Sequence, residues 1–471
     1  MATRREFLLG GAALAGMSSA LVPEARGAEF VSRRPPLAKR NFTSEAVEAT
    51  IATVKRTVAD PEIGWLFENC FPNTLDTTVR FGQIDGQPDT FVITGDINAM
   101  WLRDSSAQVW PYLPLAKDDA KLKALLAGVI RRQTRCILID PYANAFNYEP
   151  GPSPWANDLT KMRPELHERK WEIDSLCYPI RLAHGYWKAT GDASCFDRRW
   201  QDAALTIYQT FRDQQRMESP GPYKFQRRAE NPGDTLPGGG YGAPTRPCGL
   251  IHSGFRPSDD ACIFPFLIPS NFFAVRSLEQ LAEIFEAELP NKAFARDCRA
   301  LAGEVRDGLA RFAKARRAKY GEVFAYEADG YGNQLFLDDA GVPGLLSLPY
   351  LGTVEASDPV YRNTRRLVLS TDNPYYFKGT AGEGVSGPHA GQDMVWPMGI
   401  IVRALTSESD DEIRACVKML KTTHAGTGFI HEAFHKNDPK NYTRPWFAWA
   451  NTLFGELILT LLESRPRLLK A

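Results

Sequence analysis

The chain has no excess of either charge: 56 Lys and Arg balance 56 Asp and Glu over 471 residues. A balanced surface has no field to draw in nucleic acid or an anionic membrane face. Cysteine is scarce, at eight residues with no CxxC pair and no regular spacing. That pattern excludes a zinc or iron–sulfur site built from them and leaves small core residues. Neither GxxxxGK[ST] nor a strand–GxGxxG–helix arrangement occurs, so nucleotide binding has no foothold. Runs rich in Val and Ile are missing too, which excludes a parallel sheet. No internal repeat or compositional break divides the chain.

The chain opens with Thr3-Arg4-Arg5-Glu6-Phe7-Leu8, a twin-arginine pattern, followed by a weakly apolar run at 9–22 and small residues at 25–28. The run is too short and too rich in Gly and Ala to span a bilayer. It is instead the pattern of a twin-arginine (Tat) export signal. The expected division is a signal peptide at 1–28, a disordered leader at 29–40 and one catalytic domain at 41–471. Export makes the protein periplasmic or secreted, with no segment inserted in a membrane.

Apolar periodicity predicts helices at about 44–58, 98–113, 118–136, 172–189, 198–216, 259–285, 291–316, 359–368, 389–405, 409–421 and 445–463. Short strands are expected at 75–83 and 321–337. Long helices separated by extended Gly/Pro loops read as antiparallel hairpins, so the fold class is all-α with a few short strands in loops. The loop at about 218–257 is the longest, and loops of that length are usually functional.

The stretch 94–109, TGDINAMWLRDSSAQV, sets Trp101, Arg103 and Asp104 side by side, on a helix expected to begin near Asn98. A ring, a guanidinium fork and a carboxylate suit a polyhydroxylated ligand; the alternative is a buried structural ion pair. In 251–261, IHSGFRPSDDA, His252 and Arg256 precede Ser258, the expected N-cap, with Asp259 and Asp260 in the first turn. Acidic residues there can simply complement the helix dipole. Adjacent carboxylates beside an Arg and a His can also have their pKa values driven apart, as an acid catalyst needs.

His431-Glu432-Ala433-Phe434-His435 matches H-E-x-x-H, a zinc-peptidase pattern that requires one helix through both histidines. Glycines precede it and Asn437-Asp438-Pro439 follows within a turn, so no metal site is assigned. Glu432 stands out instead as a carboxylate on a Gly-flanked loop. Further binding walls are 170–178, with Trp171, Glu172 and Asp174; 388–396, with His389, Gln392, Asp393 and Trp396; and 444–451, rich in aromatics. Each puts an aromatic or a carboxylate at a helix start. In a helical toroid the inner helix starts meet on one face and line a pit.

The blocks TGDINAMWLRDSSAQVWPYL, KWEIDSLCYP, HSGFRPSDDA, IPSNFFAV, GQDMVWPMGI and GTGFIHEAF…TRPWFAWANTLFGE resemble, in order, bacterial members of glycoside hydrolase family 125. The resemblance covers about residues 40–465. It implies an (α/α)6 toroid of six helical hairpins. The implied activity is exo-acting hydrolysis of non-reducing terminal α-1,6-linked mannose, with inversion and without metal or cofactor. It makes Asp259 the general acid, with Asp260 the alternative, and Glu432 the general base. Arg103 and Asp104 hold the terminal mannose, with Trp101, Asp174, His252, Arg256, Gln392, Asp393 and His431 completing the sugar site. Inversion would need Asp259 protonated, by burial and its like-charged neighbour, and Glu432 ionised. A monomer acting on a mannose-containing oligosaccharide is expected. The competing readings are another (α/α)6 carbohydrate-active enzyme, a zinc metallopeptidase through the HEAFH segment, and a non-catalytic glycan-binding protein.

Overall fold

A computed structural model describes residues 30–470. The signal-peptide expectation for 1–28 lies outside these residues. Residues 30–40 do not match the expected disordered leader, because side chains tie them down. Arg34 reaches Asp76 with Nε at 2.7 Å and Glu48 with Nη1 at 2.9 Å, and the Trp65 indole donates to the Val31 carbonyl at 2.7 Å. Composition showed a polar, proline-bearing segment; the carboxylates that anchor it come from elsewhere in the chain.

The helices in chain order are α1 (Glu45–Thr57), α2 (Pro61–Cys70), α3 (Asn73–Thr77), α4 (Leu102–Val109), α5 (Ala120–Ile139), α6 (Ile173–Thr190) and α7 (Arg198–Gln214). They continue with α8 (Ile268–Ala287), α9 (Lys292–Phe312), α10 (Pro359–Val368), α11 (Pro397–Leu405), α12 (Asp410–Thr423), α13 (Ala448–Ser464) and α14 (Arg467–Lys470). They form a toroid. In the inner ring α4 packs on α6 and α6 on α8, while α11 packs on α13 and α13 returns to α4. Turns at 344–351 also reach the inner ring, where the Tyr350 hydroxyl donates to Glu456 of α13 at 2.9 Å and its ring lies 5.0 Å from the Arg181 guanidinium of α6. The outer helices α5, α7, α9, α10 and α12 lie behind, with α1 and α2 closing the circle against α13.

The two rings differ in how their sequences make helix. Outer helices are amphipathic: α9 buries Phe294, Ala295, Cys298, Leu301, Ala302, Val305 and Leu309 on one stripe. Each also opens on a side-chain cap: Ser44, Asp60, Asp119, Asp197, Asn291, Asp358 and Ser409 accept a first-turn N–H. Inner helices are buried nearly all round. They start after Trp101, Glu172, Leu267, Trp396 and Phe447, none of which makes a side-chain cap bond.

Consequently several inner helices begin later than expected. Asn98 does not cap α4, and its side chain accepts from Arg80 instead. Ser258, Asp259 and Asp260 lie in a turn well before α8, and residues 389–396 form a loop and a short strand before α11. Three small antiparallel sheets occupy these approaches. They join Met100–Trp101 to Ala145–Phe146 and Leu166–Glu168, Phe266–Leu267 to Glu327–Ala328 and Gln334–Leu335, and Met394–Val395 to Ala433–His435 and Asp438–Thr443. Hairpins at Val79–Ile84/Gln87–Val92 and Lys314–Arg317/Gly321–Phe324 lie outside the ring. All eight cysteines are buried free thiols.

Candidate active site

The site is built at the starting end of the inner helices, around one guanidinium. Arg103 lies in the first turn of α4, with its side chain 4 % exposed. Its Nη1 donates to Glu172 Oε2 at 2.6 Å and to Asp174 Oδ2 at 3.2 Å, and its Nη2 to Asp259 Oδ1 at 3.2 Å. Asp104 Oδ2 lies 3.5 Å from Nε and Asp104 also accepts from the Thr94 hydroxyl. Four carboxyl groups thus share one largely buried cation. They cannot all ionise cheaply. Burial pushes Glu172 well above the usual carboxylate range, with Asp259 and Asp174 adding to the rise against Arg103. Burial likewise pushes Asp174 up to about 6 and raises Asp104, with Arg103 opposing in both. Burial disfavours the Arg103 charge, yet the surrounding carboxylates hold it firmly protonated.

The raised carboxyls have a consequence for stability. For Asp174 the folded state binds the proton more tightly than the unfolded chain, so its contribution is full below about pH 4 and is lost as pH rises towards about 6. The stability of the wild type relative to Asp174→Asn should therefore fall across that window. Urea midpoints of the two proteins that run parallel from pH 4 to 7 would contradict this.

Asp259 and Asp260 are separated by the turn that carries them. Asp259 has a left-handed φ of 67°. The turn is closed by Asp259 N donating to the Arg256 carbonyl at 2.9 Å and Arg256 N to the Asp260 carbonyl at 2.8 Å. Asp259 thereby faces Arg103, whereas Asp260 meets the Ser258 hydroxyl at 3.3 Å, which also donates to Asp339 at 2.8 Å. Burial, with Asp339 adding to it, raises Asp260 as well.

Glu432 is held by a second arginine, Arg444, which also acts on Asp104. Arg444 Nη1 lies 3.4 Å from Glu432 Oε1 and its Nε 3.5 Å from Asp96 Oδ2. The Thr443 hydroxyl donates to Glu432 Oε2 at 3.1 Å. Glu432, Asp96, Asp104 and Asp259 all act on the Arg444 charge, so the two arginines and their acids form one electrostatic unit. The segment after Glu432 is a strand, Ala433–His435. The two histidines therefore do not share a helix face. His431 stacks on Tyr442 with centroids 3.8 Å apart and donates Nδ1–H to the Arg444 carbonyl at 3.1 Å, while His435 Nδ1 accepts from Asn437 N. Among the described residues no group of His, Cys, Asp and Glu is arranged to hold a metal ion.

Several buried polar atoms around these charges have no hydrogen-bond partner among the described residues: Trp101 Nε1, Glu172 Oε1, Asp174 Oδ1 and His431 Nε2. Other expected site residues lie elsewhere. His252 is fully buried; its carbonyl accepts the Trp171 indole N–H at 2.7 Å and its ring lies 3.0 Å from Arg216. Burial, then Arg216, drives its pKa well below the usual value, so it is a neutral packing residue. Arg256 is a buried strut, with Nε on Glu327 at 2.7 Å, beneath the Asp259 turn. Gln392 and Asp393 sit on an outer loop, where their hydrogen bonds run to each other and to Lys436. A polar residue near a helix start was the signal for all four, and their side chains face neighbours the sequence does not reveal. Conversely, Lys170 and Arg444 were not singled out. A lysine between Arg169 and Trp171 gives no sign that it is buried.

The chain is similar to known proteins over most of its length. Residues 60–459 match the family model of the metal-independent α-mannosidases, GH125. A metal-independent α-mannosidase structure from Streptococcus pneumoniae, solved in a non-productive complex with α-1,6-mannobiose, is 40 % identical and superposes with a TM-score of 0.87, covering 90 % of this chain and 100 % of that one. The meiotically up-regulated gene 157 protein of Schizosaccharomyces pombe is 44 % identical over 457 residues, 93 % of this chain and 90 % of the relative. A family GH78 rhamnosidase from Bacillus sp. GL1 shares the fold alone, at 10 % identity and a TM-score of 0.51, over 86 % of this chain and 35 % of that one. The family model spans most of the chain and the 40 %-identical structure is covered in full, so the chain belongs to glycoside hydrolase family 125, the metal-independent α-mannosidases.

Proposed function

We propose that this α-mannosidase removes non-reducing terminal α-1,6-linked mannose from oligosaccharides, one residue at a time and with inversion. Asp259 is the general acid that protonates the departing glycosidic oxygen, and Glu432 is the base that activates water. The observation that carries this reading is the division of the two carboxyls between Arg103 and Arg444, both of which act on Asp104. A proton-rich cluster stands around Asp259, where Glu172 is held above its usual range. Glu432 is backed by a cation and a hydroxyl, surroundings that favour a carboxylate able to take a proton from water. Arg103, Asp104 and Trp101 are assigned to the terminal mannose. The mannobiose complex of the pneumococcal relative supports the linkage.

The test is proton NMR of the enzyme acting on α-1,6-mannobiose, with and without EDTA. β-Mannose should appear first, at a rate EDTA leaves unchanged. Initial α-mannose would overturn inversion, and an EDTA-abolished reaction would overturn the two-carboxylate mechanism. Running the assay on periplasmic and cytoplasmic fractions also tests export. Activity should leave the periplasm when Arg4 and Arg5 are both changed to Lys, since the twin-arginine pattern is the basis for that location.

A further inference from the structure

We propose that Lys170 is a positioning residue for the general acid: its ammonium fixes the Asp259 backbone so that the carboxyl stays at Arg103. This rests on the acid role given to Asp259 above. The carbonyl of Asp259 accepts from Lys170 Nζ at 2.7 Å. The lysine side chain has no solvent exposure, so water does not compete for that bond. Its carboxylate neighbours are farther off, with Glu168 Oε1 at 3.8 Å and Asp234 Oδ1 at 3.6 Å. Glu168 makes closer contacts elsewhere, to Arg227 Nη2 at 2.8 Å and Asn144 Nδ2 at 2.9 Å. The ammonium also lies 4.9 Å from the centroid of the Phe255 ring, on the turn that carries the acid. The short contact of this buried cation is therefore to a peptide oxygen of the acid residue.

That contact matters because of the backbone it holds. Asp259 is in the left-handed region, where a residue other than glycine stays only if its surroundings over-determine it. The turn is closed by Arg256 and Asp260 through their backbones, and a shift of that turn would carry the Asp259 carboxyl away from Arg103. The Lys170 bond to the Asp259 carbonyl fixes ψ at that residue and ties the turn to the segment before α6, opposing the shift. Lys170 is itself fixed, donating its backbone N–H to Asn144 Oδ1 at 3.0 Å, and it stands two residues before Glu172, which shares Arg103 with Asp259. One short segment thus holds the acid at its carbonyl directly and at its carboxyl through Arg103.

The experiment compares Lys170→Met with wild type on α-1,6-mannobiose and on 2,4-dinitrophenyl α-mannoside, whose leaving group departs without a proton. A misaligned acid should cost about 100-fold in kcat on mannobiose with little change in KM. The dinitrophenyl substrate should stay within about threefold of wild type, since it draws little on general acid catalysis. An equal loss on both substrates marks a merely structural lysine and overturns the proposal. Asp259→Asn is measured alongside. If it lacks the leaving-group split, the acid reading itself fails; if it shows the split and Lys170→Met does not, only the positioning role fails. Should Lys170→Met not fold, Lys170→Gln carries the same test, because its amide keeps an N–H donor without the charge. It should show a smaller split of the same kind, and equal losses would again overturn the proposal.

Discussion

Asp259→Asn and Glu432→Gln are each expected to lower turnover of α-1,6-mannobiose by about 10³-fold or more, the scale of general acid–base catalysis. Both changes conserve volume, and both leave the arginine beside the carboxyl in place. The losses should differ in kind. Without its acid the enzyme still hydrolyses mannosides with good leaving groups, because little proton transfer is needed at the departing oxygen. Without its base it is slow on every substrate, because water must be activated whatever leaves. Asp260→Asn supplies the contrast. Its carboxyl engages Ser258 rather than Arg103, so its loss should affect stability more than the leaving-group dependence. Near-wild-type turnover of mannobiose by either Asp259→Asn or Glu432→Gln would refute the assignment, and a leaving-group split in Asp260→Asn instead would move the acid role to that residue.

Arg103→Met is expected to cost about 3–5 kcal/mol of folding stability, because it strands buried carboxyls without their cation. The cost has a sign in pH. Carboxyls that lose Arg103 can be rescued by protons, so the deficit against wild type should shrink between pH 7.5 and pH 5. Arg103→Lys should recover only part of it, since an ammonium cannot span Glu172, Asp174 and Asp259 as the guanidinium fork does. Urea unfolding at both pH values decides this. A deficit below about 1 kcal/mol, the range of surface ion pairs, would mean that Arg103 is a dispensable partner.

Much of the fold was legible in the sequence, and the split between what was legible and what was not follows the two rings. Outer helices carry the local grammar of helices. Asp197 and Asp358 mark where α7 and α10 begin, and the expected starts at 198 and 359 coincide with the observed ones. Inner helices lack that grammar. The cap rule was drawn to Asn98 and Ser258, both polar, when the helices begin after Trp101 and Leu267. Their starts are set by the small sheets and by contacts from distant segments, which no window of local sequence contains. The turns at 344–351 that reach the inner ring were missed for the same reason.

The site was legible in a similar proportion. Of the candidate residues, Arg103, Asp104 and Asp174 stood out as charges beside aromatics near helix starts, Asp259 as one of two adjacent carboxylates near an Arg and a His, and Glu432 as a carboxylate on a Gly-flanked loop. Periodicity could not choose between Asp259 and Asp260; a left-handed residue in a tight turn aims one at Arg103 and the other at Ser258. His252 and Arg256 looked like site residues because their chemistry is right, but burial turns them to Arg216 and Glu327.

The eight unpaired cysteines bear on how the protein matures. Burial raises every one of their thiols, with Cys136, Cys195, Cys298 and Cys416 pushed up to about 12. The thiolate is the species that attacks a disulfide or reacts with an oxidant, and at neutral pH these side chains supply almost none. Once folded, the chain offers an oxidase or an isomerase almost no thiolate, and none of the eight thiols is joined in a disulfide. An oxidant that works through a thiolate therefore finds these eight side chains slow to react for as long as the toroid stays folded.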